Sequence, residues 1–188
     1  LFPYTTLFRS GKKRWYDIGV MRNNMEQSLI NLKTDCVDLM YLHHCNFGEN
    51  DEYFEDAVNT VRQFQKEGKT RFIGLSDWSS NKIMHFIERC DPDVVQPLRN
   101  VVDDTYESSG LKEYVDNHNL GICFFSPLKH GLLTGKYTEP AQFEDGDFRS
   151  REKEFSDLDF LKIMQENKSK LETRFGGHPN PEIGRAHV

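Results

Sequence analysis

Apolar positions along the chain fall into two alternating rhythms. Met25, Leu29 and Leu32 recur at helical spacing, and Asn23 or Asn24 can cap a helix that runs through Lys33. Val37 to Leu42 is a continuous apolar run broken only by Asp38, as expected of a strand buried on both faces. Asp51 opens a second helix with the stripe Phe54, Val58, Val61 and Phe64, and Gly68 stops it. Phe72 to Leu75 is a second strand. Ser79 or Ser80 caps a third helix whose inner face carries Ile83, Phe86 and Ile87. Val94 to Leu98 is a third strand, a shorter helix carries Leu111, Tyr114 and Val115, and Gly121 to Phe125 is a fourth strand. Asp157 to about Phe175 reads as a longer, charged helix.

Strands that alternate with helices predict an α/β fold with a parallel sheet and right-handed crossovers. Both an open doubly wound sheet and a barrel satisfy that pattern. A dinucleotide-binding doubly wound domain should carry GxGxxG after its first strand, and this chain has none. Polar residues gathered at the ends of several different strands favour a barrel. A complete (β/α)8 TIM barrel needs about 250 residues, so the expectation is a partial barrel of about four strands with their helices.

Composition narrows the partners. A chain of 188 residues with net charge -6 and no dense Lys/Arg block argues against nucleic acid and against an anionic membrane surface. No apolar run reaches the length of a membrane span. Cys36, Cys45, Cys90 and Cys123 form no CxxC pair, which points to a reduced, cytoplasmic setting. The extremities stand apart. LFPYTTLFRS at 1–10 and EIGRAHV at 182–188 resemble translations of the two arms of a short-read sequencing adapter. They are excluded from fold reasoning as fusion scars are, which leaves 11–181 as the partial barrel.

The strand ends carry the chemistry. Leu39, Tyr41 and His43 share one face of the first strand, with His43 at its end. Read without context, a strand-end histidine most often bonds to backbone. His43, His44 and Cys45 make no zinc site, because adjacent side chains diverge and no distant ligand pair accompanies them; no metal is expected. The serines between Ser76 and Ser80 suffice as helix caps, and Gln96 is a strand amide that needs partners if buried.

Taken together these stretches resemble the middle of an aldo-keto reductase. Asp38-Leu39-Met40-Tyr41-Leu42-His43 is similar to the DLxxxH strand that delivers the family's catalytic histidine, which implies a catalytic His43 that orients the substrate carbonyl and assists the proton donor. Gly74-Leu75-Ser76-Asp77-Trp78 resembles G-[VL]-S-N-[FW], whose Ser and Asn hold the nicotinamide carboxamide. Ser76 matches. Asp77 departs, since a carboxylate accepts hydrogen bonds without donating, although it can still accept from the carboxamide NH₂. Gln96 stands where the family's third carboxamide ligand does. Phe125-Ser126-Pro127-Leu128, continuing to Gly131-Leu132-Leu133-Thr134-Gly135-Lys136, is the most specific likeness. It implies a ring stacked on nicotinamide at Phe125, and pyrophosphate contacts from Ser126 and the Leu128 backbone. Asn100 is read as structural, and Gly146-Asp147-Phe148-Arg149 resembles a loop that folds over the cofactor.

The resemblance implies an NAD(P)H-dependent oxidoreductase that reduces a small-molecule aldehyde or ketone, with NADP(H) as cofactor and NAD(H) not excluded. The family's catalytic tyrosine, lysine and aspartate have no match here. Tyr16, Tyr41, Lys12 and Lys13 lack the motif contexts, so this chain alone is expected to be inactive. Two alternatives stay open: a non-enzymatic nicotinamide-binding accessory subunit of the same fold, and an unrelated barrel hydrolase or isomerase that uses His43 with Asp77 or a metal.

Overall fold

The computed structural model describes residues 16–175. The expected adapter-derived ends, 1–10 and 182–188, lie outside them, as do Lys12 and Lys13. The described residues form two compact units: one of 16–97 with 109–123, the other of 98–108 with 124–175.

The first unit is a parallel sheet of β1 (Val37–His43), β2 (Thr70–Asp77), β3 (Val94–Pro97) and β4 (Gly121–Ile122), in chain order. It alternates with α1 (Ile18–Leu32), α2 (Phe54–Lys66), α3 (Ser80–Cys90) and α5 (Leu111–His118). The register stacks side chains in rows, because alternate residues of each strand point to one face. On the helix-facing side Leu42, Leu75 and Val95 pair and are at most 2 % exposed. They sit beneath a layer that contains Phe54, Ile83 and Ile87, each fully buried. Phe47, Phe54 and Phe86 close that layer as an aromatic cluster, with ring centroids 4.7 to 5.0 Å apart.

On the other face the rows read Leu39–Phe72, Tyr41–Gly74–Val94 and His43–Ser76–Gln96. Gly74 has a reason to be glycine. A Cβ there would lie 2.5 Å from two ring carbons of Tyr41 and 2.9 Å from the Val94 carbonyl oxygen.

Several boundaries differ from expectation for local reasons. The first helix starts at Ile18, not at Asn23 or Asn24, because an Asp17 carboxylate oxygen accepts from the Val20 N–H at 3.1 Å. Its buried stripe is therefore Met21, Met25 and Leu29, while Leu32 is exposed. The second helix begins at Phe54; Asp51 instead makes the turn before it, its carbonyl accepting from the Phe54 N–H. The third helix draws no side-chain cap from Ser79. Strand β4 stops at Ile122, and only an isolated bridge, Leu98 with Phe125, follows.

The second unit contains α4 (Thr105–Ser108), three 3-10 helices at Lys129–Thr134, Phe148–Arg151 and Lys153–Phe155, and α6 (Leu158–Phe175). The short helices between β4 and α6 were not apparent in the sequence pattern. The start of α6 was: an Asp157 carboxylate oxygen accepts from the Asp159 and Phe160 N–H groups. Leu132, Phe155 and Leu161 form its core with Tyr137, Phe143 and Phe160 packed around them. No helix among the described residues is long and apolar enough to cross a membrane.

Gly74→Ala is expected to destabilise the first unit by about 1–3 kcal/mol, the usual cost of forcing extra volume into a packed site. Urea denaturation measures it, and an unchanged midpoint would show that the Tyr41 ring yields freely.

Candidate functional site

Three neighbouring strands each deliver one polar side chain at the same level. His43 pairs with Ser76 and Ser76 with Gln96 in the parallel register, so all three project from one face. His43 Nδ1 lies 3.1 Å from Ser76 Oγ, and that hydroxyl donates to Gln96 Oε1 at 3.3 Å. Ser76 is fully buried, while His43 and Gln96 are partly exposed. The result is a hydrogen-bonded line from a half-open imidazole to a half-open amide. Its geometry follows from sheet register, not from loop conformation.

The turn behind it is held from two sides. His44 adopts the left-handed region, φ 62°, which ends β1 while its N–H still donates to the Ser76 carbonyl at 2.8 Å. The Tyr16 hydroxyl shares its hydrogen between the carbonyl oxygens of His43 and His44, at 2.6 and 2.7 Å. Tyr16 is buried and its ring centroid is 4.5 Å from that of Phe47. No motif pointed to this role, because the tyrosine lies 27 residues before the histidine it braces.

Asp77 sits one step beyond the polar row, 3 % exposed. One carboxylate oxygen accepts from the Cys45 N–H and the other from the Ser79 N–H, both at 2.8 Å. The carboxylate thus ties the turn after β1 to Ser79, the residue that precedes α3. His43 Nδ1 faces Ser76, so an Asp77-oriented histidine, the arrangement a hydrolase would use, is not what the strands build.

Burial lowers the pKa of His43 below its ordinary value of 6.5; the neighbouring His44 lowers it further and Asp77 opposes both. The imidazole is accordingly neutral near pH 7. Burial first, and Asp77 next, raise the Cys45 thiol, and burial pushes Cys90 up to about 12. Neither sulfur is a nucleophile. No group of three or more metal-ligating side chains occurs among the described residues.

Phe125, Ser126 and Leu128 belong to the second unit. The Phe125 carbonyl accepts from the Arg99 N–H at 3.2 Å. Ser126 has φ 57°, and Lys129, His130 and Gly131 also take positive φ, so the backbone coils tightly on itself. The Leu128 carbonyl accepts from Gly131 and Leu133. Asn100 is buried; its amide donates to the Ser126 carbonyl at 3.4 Å, and its own oxygen accepts from Val102. That is the structural task expected of it. Lys129 pairs with Glu154 at 2.9 Å and Glu152 at 3.5 Å. The His130 ring lies against Phe148, centroids 4.7 Å apart. These contacts join the Ser-Pro-Leu turn to the 148–155 segment, where Arg149 chelates Asp147 and holds that carboxyl down at about 2, chiefly by side-chain hydrogen bonding.

Residues 10–174 match the model described as the aldo/keto reductase family. The chain is 31% identical over 150 residues to aldo-keto reductase str7 of Strobilurus tenacellus, which covers 79% of this chain and 44% of that protein. It is 30% identical over 143 residues to the NADP(+) aldo-keto reductase yakc of Schizosaccharomyces pombe, at 75% and 41% coverage. Among solved structures, the glycerol dehydrogenase of Gluconobacter oxydans superposes with a TM-score of 0.71 at 25% identity, covering 87% of this chain and 50% of that one. The four parallel strands and their helices therefore fit part of a TIM barrel. The chain spans less than half the length of these two curated relatives.

Two outcomes follow from the site geometry. Asp77→Asn replaces an acceptor by an NH₂ that faces a backbone N–H; it is expected to cost about 1–3 kcal/mol, the range for leaving a buried group unsatisfied, read by chemical denaturation. A variant as stable as the parent would remove the bracing role. In an NMR pH titration the His43 ring is expected to titrate below 6.5. Since folding lowers this pKa, the associated stability is complete above the unfolded value and is lost as pH falls through the folded one. A midpoint at or above 6.5 would contradict the burial.

Proposed function

The chain belongs to the aldo/keto reductase family, and on that premise we propose that it carries the carbonyl-orienting and carboxamide-binding part of an NAD(P)H-dependent reductase of aldehydes or ketones. The observation that supports this best is the row His43–Ser76–Gln96. It presents an imidazole beside a hydroxyl and a primary amide, all at one level of the sheet.

That row suits a carboxamide. Gln96 offers both an acceptor and donors, and Ser76 a rotatable hydroxyl, so a ligand C(=O)NH₂ finds a complement for each end. Asp77 in place of the family's asparagine can only accept, and both its oxygens already receive backbone N–H groups. In this reading its part is to hold the turn, and any bond it makes to the carboxamide is through a remaining lone pair. Phe125 supplies a ring face for stacking, and Ser126 and the Leu128 backbone are assigned to the pyrophosphate.

The bound nicotinamide would supply the hydride that reduces the carbonyl carbon. His43 would hold the carbonyl oxygen in line, a positioning task that a neutral, half-buried imidazole performs through its Nε2 atom. NADP(H) is the preferred assignment, in keeping with the name of the Schizosaccharomyces pombe relative, an NADP(+) aldo-keto reductase; NAD(H) remains the alternative. The proton donor would have to be a tyrosine paired with lysine and aspartate, and this sequence has no match for that trio. We therefore assign the chain a partial, inactive barrel over 11–181, and read the flanks 1–10 and 182–188 as adapter-derived. The cytoplasm is the assigned compartment.

Isothermal titration of the chain with NADPH tests the reading. Binding is expected, weakened roughly tenfold or more by Ser76→Ala with Gln96→Ala, since losing the Gln96 bond to the carboxamide and the Ser76 bond that orients Gln96, about 1 kcal/mol each, exceeds the 1.4 kcal/mol that a factor of ten represents. Aldehyde-dependent NADPH oxidation by the chain alone is expected to be absent. Equal affinity in the double variant would remove the carboxamide site; turnover would remove the inactive-fragment reading.

A further inference from the structure

The line from His43 to Gln96 has a direction. Ser76 has one hydroxyl hydrogen, and it goes to Gln96 Oε1. The same oxygen must then accept from its other neighbour, so the hydrogen bond to the histidine runs from Nδ1–H to Ser76 Oγ. A neutral imidazole carries a single N–H. In this arrangement it is on Nδ1, and Nε2 is the basic nitrogen.

Reversing the Gln96 amide reverses every step. An NH₂ turned toward Ser76 donates to Oγ, the hydroxyl hydrogen swings to Nδ1, and the ring proton must then reside on Nε2. Gln96 is partly exposed, so its outer end can meet a ligand. A ligand N–H arriving there needs an acceptor, and turning Oε1 outward provides it.

We propose that Ser76 and Gln96 act as positioning residues that decide which nitrogen of His43 carries its proton, and that a primary carboxamide engaging Gln96 moves that proton from Nδ1 to Nε2. One proton leaves Nδ1 to solvent and one is gained at Nε2, with the charge of the ring unchanged; the half-exposed ring gives water access to the exchange. The carboxamide half rests on the reading that this row binds nicotinamide, whereas the ligand-free half stands on the hydrogen bonds alone.

The Asp77 oxygens are taken by Cys45 and Ser79 N–H groups, and the His44 ring lies beside the His43 ring, centroids 4.2 Å apart and tilted by 47°. Ser76 is fully buried, so water does not substitute for it in the line. The functional gain is that an Nε2–H can donate to a carbonyl oxygen where a bare Nε2 cannot. Carbonyl orientation would then await the cofactor.

Long-range ¹H–¹⁵N NMR of the ¹⁵N-labelled full chain reads the tautomer directly, with the His43 signals assigned by their loss in His43→Gln. The ligand-free chain is expected to show Nδ1–H as the major form, and saturating NADPH to make Nε2–H the major form. Gln96→Glu presents a carboxylate that only accepts, and should hold Nδ1–H with or without NADPH. Ser76→Ala should abolish the response to NADPH. A major Nε2–H form without ligand, or a Gln96→Glu chain that switches like the parent, overturns the proposal. If calorimetry shows that NADPH does not bind, the cofactor reading fails separately. Free nicotinamide at high concentration is then the probe, and failure of that amide to move the proton overturns the carboxamide step. The ligand-free tautomer is judged in every case.

Discussion

The parallel register of β1, β2 and β3 is the constraint from which the rest follows. Side chains alternate along a strand, and neighbouring parallel strands keep paired residues on one face. Fixing Tyr41 opposite Gly74 therefore also fixes His43 opposite Ser76, and Ser76 opposite Gln96. A slip of one residue in any one of these strands would send its polar group into the helix-facing layer, where Leu42, Leu75 and Val95 now lie. Burial of that apolar row and the fit of the tyrosine ring over a glycine thus protect the chemistry two residues away. Packing and site share a single geometric decision.

Much of this was legible in the sequence because it is periodic. Continuous apolar strands, helical stripes such as Phe54, Val58, Val61 and Phe64, and polar residues at strand ends predict the elements and place His43, Ser76 and Gln96 near strand termini. What was not legible depends on distance along the chain. Tyr16 braces the turn after β1 from 27 residues away, and no local pattern announces it. Asp77 looks like a departure in a ligand motif, yet its two oxygens bridge two turns, a role visible only once both turns are in place. The early start of α1 belongs to the same class, since Asp17 and Asn23 are both acceptable caps and the buried Met21 favours the earlier one.

The second unit follows other rules. Its Ser-Pro-Leu turn has no strand to fix it, and relies on left-handed residues, the buried Asn100 amide and the Lys129 pairs with Glu152 and Glu154. Ion pairs that are partly shielded hold more firmly than exposed ones, though individually they contribute little. The sheet site is thus built by register and packing, and the turn site by side chains that clasp a loop.

Two side chains at the ends of β2 and β3 differ in symmetry. The Asp77 carboxylate is two-fold symmetric: half a turn about its axis exchanges two equivalent acceptors, and neither Cys45 nor Ser79 would register the change. Gln96 has no such symmetry, and the same half-turn exchanges a donor for an acceptor. A symmetric group can fasten, but it cannot store a choice. The amide can, and it stands one hydroxyl away from the imidazole. Exchanging the two chemistries, an amide at 77 and a carboxylate at 96, would put the ambiguity where the fold needs certainty and remove it where the site can use it.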